Sequence, residues 1–433
     1  MSASSIIILL SIVALIVIGY KTKLNYGLIG IAFAFIFGCF AAGMSANTVV
    51  NQWPARLFFQ MFTISLFYAF SINNGTLELL SRKFVGLAKN FSPLIPFMLF
   101  IIGGVMAGIG PGSIAMFLVF TPIIMQIGKD AGMNPVLSAT TMTCGINCGA
   151  WSPIAVNGIT TYNLIEAAGY TAEEAASYSA TVWGSMAIIT TLVFLGTYFI
   201  LGGYKRKKTT FEETPAFNKE QKTNFILIII MTALLLIPAM IDNLFTGGAL
   251  SWFVDRMDAT LLAVVFSILA IFLKVGNEKK AFASVPWSTI VMVCGVAMLV
   301  GVAAEAGALE YVAGYIGNNI GLKILPYIMV IVCGIFSMFS STMGVVVPTM
   351  YPLIAAIAVA SGGSPAFLFA VVPFSAGHSG ITPFSLTGGL VMATVEEENK
   401  HKMFIVLTLT AICRLAAVLV FVAILMLLGV FRI

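Results

Sequence analysis

The sequence predicts an all-α polytopic membrane protein with about ten transmembrane helices and two re-entrant hairpins, arranged as two inverted repeats. Three observations predict this fold class. The composition is almost free of charge, apolar runs of membrane-spanning length are joined by loops whose basic residues fall on one side, and glycines and prolines recur at a fixed offset along the chain.

The composition is that of a chain whose solvent is lipid. Of the 433 residues, 60% are hydrophobic and 9% are charged, whereas soluble domains carry about 25% charged residues. The net charge of +5 comes from short loops between apolar runs. Such charges report topology, so we expect the lipid bilayer as a partner and no nucleic acid. The cysteines lie in apolar stretches and do not indicate a disulfide set: Cys39, Cys144, Cys148, Cys294, Cys333 and Cys413.

The apolar runs predict the crossings, because a bilayer core needs about 20 apolar residues per helix. We place spans near 5–20, 26–43, 54–73, 135–165, 177–203, 223–242, 259–275, 286–304, 365–394 and 402–430. Two further stretches, 93–128 and 323–361, are each interrupted near the middle by small polar residues. We interpret these two as re-entrant helical hairpins. Their predicted tips are Gly110-Pro111-Gly112-Ser113 and Ser340-Ser341-Thr342-Met343-Gly344.

The basic residues set the orientation in a cell membrane, expected to be a bacterial-type inner membrane. With the N-terminus outside, 17 of the 22 basic residues fall on the inside. If either hairpin were a single crossing, every later loop would change sides and the pattern would be lost. Both termini are therefore expected on the outer, periplasmic side. The inside residues are Lys21, Lys23, Arg82, Lys83, Lys89, Lys129, Lys205, Arg206, Lys207, Lys208, Lys219, Lys222, Lys274, Lys279, Lys280, Lys400 and Lys402.

A repeat is visible when the chain is shifted by 230 residues, because matched Gly and Pro breaks imply matched helix shapes. The matched pairs are Pro96 and Pro326, Gly104 and Gly334, Pro122 and Pro352, Pro135 and Pro365, Pro153 and Pro383, and Gly158 and Gly388. We predict a first repeat at 1–203 with a hairpin at 93–128 and a broken helix at 135–165, a cytoplasmic linker at 204–222, and a second repeat at 223–433 with a hairpin at 323–361 and a broken helix at 365–394.

Each predicted repeat has five crossings, so the second copy lies upside down relative to the first. Inverted repeats with broken helices at matching positions are typical of secondary transporters that bind substrate near the bilayer midplane. A half-helix that starts there offers N–H groups and a positive dipole end to an anion, and one that ends there offers carbonyls to a cation. We therefore expect substrate and ion binding at the tips and breaks. The candidate residues are Gly110, Pro111, Gly112, Ser113, Asn147, Gly149, Ser152, Ser340, Ser341, Thr342, Gly377, His378, Ser379 and Thr382.

Four side chains have more than one interpretation. His378 relays a proton or donates to a carboxylate, or is a neutral histidine bonded to a backbone carbonyl. Arg414, deep in the last span, neutralises an anion or bonds to carbonyls at a helix break. Cys144 and Cys148 are one turn apart, which permits a metal, but we expect no metal site because the surroundings offer few ligands.

Several of these motifs resemble the malonate/dicarboxylate carrier-like permeases of the ion-transporter superfamily, which also includes the divalent-anion:sodium symporters. The motifs are Gly110–Ala115, Gly149–Pro153, Ser340–Pro348 and Pro286-Trp287 with Gly295. In the symporters the tips carry Ser-Asn-Thr, which binds sodium and carboxylates. Here Ser341 stands at the Asn position and Thr342 matches the Thr, while the first tip has neither Asn nor Thr.

The resemblance implies a secondary active transporter of a small organic anion, expected to be a dicarboxylate, coupled to sodium or protons by elevator-like alternating access. It also implies a homodimer. No cofactor is expected besides the coupling ion, which is sodium at the hairpin tips or a proton. No acidic residue lies in the four breaks, so sodium would be held by carbonyl and hydroxyl oxygens.

Two other functions remain open from the residues. The chain could be the membrane subunit of a secondary transporter that takes substrate from a separate binding protein. It could also be an intramembrane hydrolase, because Gly377-His378-Ser379-Gly380 contains a Gly-x-Ser-Gly element. The hydrolase needs a base close to the serine and gives the repeat no role, so we expect a transporter and not an enzyme.

Overall fold

The computed structural model describes residues 3–22, 24–86, 91–110, 112–205, 215–244, 259–308, 314–315, 320–339 and 341–429. Throughout these ranges the regular elements are helices and no strand occurs, which confirms the predicted all-α class. Two candidate site residues, Pro111 and Ser340, lie outside the described residues. So do several of the basic residues used for the orientation: Lys23, Lys89, Arg206, Lys207, Lys208, Arg256 and Arg432.

Within the described ranges the chain consists mainly of α-helices. In chain order they are α1 Ala3–Thr22, α2 Tyr26–Phe40, α3 Ala46–Asn51, α4 Ala55–Asn73, α5 Thr76–Gly86, α6 Ile95–Gly108, α7 Gly112–Asp130, α8 Pro135–Ala150, α9 Val156–Ala167, α10 Ala172–Ile200, α11 Lys219–Leu244, α12 Ala259–Phe272, α13 Glu278–Ser284, α14 Trp287–Glu305, α15 Leu325–Phe339, α16 Val347–Ser361, α17 Pro365–Ser379, α18 Leu386–Ala393 and α19 Lys400–Leu427. Single 3₁₀ turns lie at Ser92–Leu94 and Glu397–Asn399, and a π-helical turn at Thr342–Val346 precedes α16.

The chain divides into two compact units. The first unit consists of Met1–Phe58, Thr160–Leu195 and Trp287–Ile433, and the second of Phe59–Ile159 and Gly196–Pro286. Each unit takes segments from both predicted repeats. The repeats are defined by correspondence along the sequence and not by compactness, so they stay a prediction at this point.

Several helices have the length and polarity of membrane spans. Within the described residues, Ala172–Ile200, Thr342–Ser361 and Lys400–Leu427 are long and apolar enough to cross a bilayer. A fourth candidate is α7, which bends by 52° between Leu118 and Phe120, close to the internal Pro122. The exposed face of α19 is apolar, with Leu409 and Val420 more than half exposed. Such a surface suits lipid and supports a membrane protein.

In the second unit, α6 and α8 pack through their glycines. A side chain on Gly149 would overlap the carbonyl of Gly104, and one on Gly145 would crowd the backbone of Phe100. Small residues that let two backbones approach are the usual way to pack helices in lipid, where apolar burial gives little driving force. This close approach holds the end of α8 beside the turn that joins α6 to α7.

The two broken helices have the same local structure at the 230 offset. In the second unit, α8 ends at Ala150 and α9 begins at Val156, and in the first unit α17 ends at Ser379 and α18 begins at Leu386. The intervening residues turn in the same order in both. Gly158 and Gly388 also correspond, since each lies against the carbonyl of the residue six positions earlier and leaves no room for a side chain. The recurrence of Gly and Pro in the sequence therefore marks a recurrent backbone shape.

Candidate functional site

The first tip lies in the second unit, where α6 ends and α7 begins. Gly112, the first residue of α7, has φ of 72°, a left-handed conformation that glycine adopts at no steric cost. The amide N–H of Ser113 donates to Asn157 Oδ1 over 3.2 Å, and Asn157 Nδ2 donates to Ser113 Oγ over 2.8 Å. Both side chains are buried. A single carboxamide on α9 therefore holds the tip residue by its backbone and its side chain.

Tyr68 on α4 fixes the same tip from another direction. Its hydroxyl donates to the carbonyl of Ile109, and the ring lies where a side chain at position 110 would be. Gly110 is therefore required by packing against a fully buried tyrosine ring. The structure gives this glycine a steric role.

The break between α8 and α9 completes the first site. The hydroxyl of Ser152 donates to the carbonyl of Gly108, and the amide of Val156 donates to the carbonyl of Gly110 over 3.0 Å. Since these carbonyls belong to the last turn of α6 and the residues after it, the break supplies the donors that this helix end lacks. Asn147 is buried in the last turn of α8, with Gly149 after it.

Trp151 closes the end of α8 and carries a buried polar atom. The side chain is 1% exposed, and Nε1 has no hydrogen-bond acceptor among the described residues. An indole N–H is a donor only, so it can serve only an acceptor atom. This donor belongs to the same break as Ser152, and sequence reasoning treated it only as part of a motif.

The second tip lies in the first unit, between α15 and α16. Ser341 caps the π-helical turn, and its side chain accepts from the amide of Gly344 over 3.1 Å. The carbonyl of Ser341 accepts from Val345 over 2.9 Å and from Val346 over 3.2 Å. The second of these bonds spans five residues and widens the helix at its start, a distortion that is frequent at functional sites.

Three oxygen atoms meet beside this tip. Ser337 Oγ lies 2.9 Å from Thr342 Oγ1, and Ala376 O lies 2.7 Å from the first and 3.1 Å from the second. A carbonyl can only accept, so the two hydroxyls donate toward Ala376 and leave their lone pairs to the other side. Hydroxyl and carbonyl oxygens in this arrangement suit a hard monovalent cation. Among the described residues there is no group of three or more His, Cys, Asp or Glu side chains that would hold a metal ion.

The break in the first unit repeats the clamp of the second unit. The hydroxyl of Thr382 donates to the carbonyl of Met338, and these residues stand 230 positions after Ser152 and Gly108. Ser385 adds a further clamp, donating to Gly380 O over 2.6 Å and accepting from the amide of Gly388 over 3.2 Å. In both units a hydroxyl at the break therefore binds the last turn of the preceding hairpin helix.

His378 lies away from this cluster. Its Nδ1 is 2.8 Å from the carbonyl of Phe374, one turn earlier, and its ring interacts with the charge of Arg414 on α19. Two positions along a helix are about 200° apart, so His378 faces away from Ala376, which contacts the tip. The bond to Phe374 matches the interpretation of a histidine held by a backbone carbonyl, and Arg414 is buried on the facing helix.

Ser379 and Gly377 occupy the last turn of α17. The hydroxyl of Ser379 donates to the carbonyl of Ser375 over 2.9 Å. His378 therefore does not accept from Ser379, and the pair lacks the contact that a nucleophilic serine and its base require. The Gly-x-Ser-Gly element is thus a helix end here, with its hydroxyl used locally.

Several participants in the two sites were not predicted from the sequence, among them Tyr68, Asn157, Ser337 and the backbone of Ala376. Asn157 carried a usable signal, because it is an amide within an apolar half-helix and must find partners. Ser337 interrupts an apolar run five residues before Thr342, which is a weaker signal of the same kind. Tyr68 and Ala376 carry none, since their role depends only on what packs beside them.

Family comparisons place both halves of the chain among carriers. Residues 1–150 match the model of the dicarboxylate carrier protein MatC N-terminus, and residues 249–432 match that of the citrate transporter family. No curated protein sequence matches the chain.

Solved transporter structures share the fold. One is MtrF of Neisseria gonorrhoeae, from a class of antimetabolite efflux pumps, with a TM-score of 0.54 and 15% identity over 86% of this chain and 82% of that one. Another is the YdaH transporter of Alcanivorax borkumensis, described as having an unusual topology, with a TM-score of 0.50 and 13% identity over 88% of each chain. At these identities the likeness is one of fold. With the family matches it confirms the resemblance that the motifs predict: the chain resembles the dicarboxylate carrier-like permeases, which are transporters and not enzymes.

Proposed function

We propose that the protein is a secondary active transporter that carries a small dicarboxylate across a bacterial-type inner membrane, driven by a sodium or proton gradient, with elevator-like alternating access. The observation that carries the proposal is the tip-and-break clamp, formed by Ser152 with Gly108 in one unit and by Thr382 with Met338 in the other. Irregular backbone at membrane depth persists only where protein or a water-filled path satisfies it, and in carriers that is the substrate site.

The binding chemistry fits a small anion. The candidate groups at the tips and breaks are hydroxyls, amides and helix ends, and none of the candidates described there is acidic. A carboxylate accepts hydrogen bonds only, so Ser113 and the indole of Trp151 are suitable donors. Residues 249–432 match the citrate transporter family model, which supports carboxylates as the substrate class. We propose Ser113, Asn147, Ser152, Ser341, Thr342 and Thr382 as the residues that bind substrate or ion, directly or through one another.

Sodium is the coupling ion that the second site supports better. Ser337, Thr342 and Ala376 place three oxygens within 3.1 Å of one another. A proton carrier would instead use His378, the one histidine in the candidate set. That ring interacts with the charge of Arg414 and is bonded to a backbone carbonyl, and a second positive charge near a buried guanidinium is unfavourable.

Side-chain contacts support the proposed re-entrant hairpin at 93–128. Arg56 and Glu166, both expected outside, form an ion pair of 2.7 Å. Asn25, expected inside, donates to the carbonyl of Ser288 over 2.7 Å at the inner start of its span. In each pair the first hairpin lies between the partners in sequence. Were that hairpin a single crossing, the partners would be on opposite sides of the bilayer.

The second hairpin is supported by the same reasoning. The rings of Tyr170 and Phe369 are 5.6 Å apart, and the layout places both near the outer surface, with 323–361 between them in sequence. Two hairpins that return to their side of entry leave five crossings in each repeat. The proposed inverted relation of the two repeats follows from that odd number.

Ligand binding tests the proposal directly. We would measure the thermal stability of the purified protein with malonate, succinate or citrate in sodium or potassium chloride, with dimethyl succinate as the uncharged control. A ligand at 100 times its Kd stabilises the folded state by about 2.7 kcal/mol. We expect at least one dicarboxylate to raise the melting temperature and the diester to leave it unchanged. The rise should be larger in sodium chloride than in potassium chloride. Equal effects of acid and diester, or none from any acid, would contradict an anion site.

A further inference from the structure

The hydrogen bonds at the first tip decide which kind of ligand atom that tip can receive. Ser113 Oγ has one hydrogen to give and two lone pairs to accept with. The amide N–H of Ser113 contacts Asn157 Oδ1, which identifies that atom as the carboxamide oxygen, so the atom 2.8 Å from Ser113 Oγ is the nitrogen. A carboxamide nitrogen only donates. Ser113 Oγ therefore accepts here, and its own hydrogen remains to be given.

The hydroxyl hydrogen of Ser113 is buried and has no acceptor among the described residues. The Ser113 side chain is 4% exposed and Asn157 is 3% exposed. No described residue accepts from Ser113 Oγ, whose contact is the one with Asn157. A buried donor without a hydrogen bond is energetically unfavourable, and an ionised carboxylate oxygen is a strong acceptor that could satisfy it. The second tip differs, because Thr342 and Ser337 direct their hydrogens to Ala376.

We propose that Asn157 is a positioning residue that turns the Ser113 hydroxyl into a hydrogen-bond donor, so that the first tip receives a carboxylate oxygen of the substrate and not the coupling cation. The inference rests on the proposed transport of a dicarboxylate and deepens it. A cation at this tip would find one remaining lone pair on Ser113 Oγ, beside the hydroxyl hydrogen and a carboxamide N–H that repel it. The tips therefore differ in polarity, with a donor at the first and lone pairs at the second.

The test separates the hydroxyl from the backbone contact. The K0.5 for labelled succinate would be measured in liposomes for the wild type, Ser113→Ala, Asn157→Leu and the double variant. Ser138→Ala is the control, a buried serine of the same unit whose hydroxyl contacts the carbonyl of Asn134. We expect each single variant to raise K0.5 roughly ten- to a hundred-fold, the range of one charge-assisted hydrogen bond. The double variant should be no worse than Ser113→Ala, and the K0.5 of the cation should not move.

Two results would overturn the inference. If Asn157→Leu weakens succinate by the same factor in the Ser113→Ala background, Asn157 acts through the backbone N–H, which that background keeps. If the variants raise the K0.5 of the cation and leave that of succinate unchanged, the tip binds the cation. Where Asn157→Leu does not fold, Asn157→Asp replaces it. That variant keeps the shape and accepts from both Ser113 groups, so a wild-type K0.5 for succinate there would also overturn the inference.

The proposed function fails in a distinguishable way. A folded wild-type protein that neither binds nor transports any dicarboxylate removes the proposed function and, with it, the role of Asn157. A wild type that transports succinate while its variants behave additively removes only the role of Asn157.

Discussion

The hydroxyl of Thr342 donates to the carbonyl of Ala376 over 3.1 Å, which ties the second hairpin tip to the last turn of the broken helix α17. Ser337 donates to the same carbonyl over 2.7 Å. The tip is therefore held by side chains from two turns of the hairpin, and the carbonyl they share lies at the helix end where an ion or substrate group would arrive.

Removal of the Thr342 hydroxyl tests this contact. We expect Thr342→Ala to lower sodium-driven uptake at least ten-fold, because the variant loses an oxygen of the cluster and a bond of about 1 kcal/mol to the helix end. Thr342→Ser keeps the oxygen and is the matched control, with uptake within a few-fold of wild type. Equal uptake by the alanine and serine variants would show that the hydroxyl of Thr342 does not contribute to uptake.

Gly110→Ala tests the packing of the first tip against Tyr68. An added methyl group overlaps the ring, and overpacking of this kind costs about 1–3 kcal/mol. We expect a lower melting temperature in detergent. Gly184→Ala is the control, because that glycine lies in α10 with open space around it and alanine in a helix is favoured by about 0.5–1 kcal/mol. A Gly110→Ala protein as stable as the control would mean that Tyr68 does not occupy this position.

The ion pair of Arg56 and Glu166 offers a test of topology. The side chains are 58% and 32% exposed, so each single reversal, Arg56→Glu or Glu166→Arg, should cost no more than about 1 kcal/mol. The exchanged double variant should recover part of that loss, and the recovery should shrink as salt is raised. Additive losses with no recovery at low salt would argue against a contact between these segments.

His378→Gln tests whether the histidine carries the coupling proton. Because the ring interacts with the charge of Arg414 and is bonded to the carbonyl of Phe374, we expect the variant to keep sodium-driven uptake. The K0.5 of the dicarboxylate should change less than about three-fold, and the variant should be less stable. A variant that binds substrate normally but loses all gradient-driven uptake would instead assign proton coupling to His378.

The positions of the helix breaks could be predicted because they depend on local backbone chemistry. Gly112 needs a left-handed φ, and Pro153 and Pro383 cannot continue a helix, so the sequence marks these places itself. The hydroxyls of Ser152 and Thr382 were predicted to bind substrate or ion; in the structure they donate to the carbonyls of Gly108 and Met338, because a helix end leaves carbonyls that need donors.

The partners of those groups could not be predicted, because they come from distant segments. Asn157 reaches Ser113 across 44 residues, and Tyr68 reaches Ile109 across 41. Nothing in the pattern of polar and apolar residues selects these pairs from many others. The placement of His378 is an intermediate case, since its spacing of two from Ala376 already puts it on the opposite helix face.

Uptake into sealed liposomes is the most direct test of the central claim. The purified chain alone would be reconstituted, and labelled malonate and succinate would be supplied under an inward sodium gradient, an inward proton gradient or neither. Under the sodium gradient, and without any added protein, we predict that uptake of at least one of these acids exceeds the uptake measured without a gradient. Absence of uptake under every gradient, from folded protein, would contradict an autonomous dicarboxylate carrier, and uptake restored only by a separate binding protein would identify the chain as the membrane subunit of a larger system.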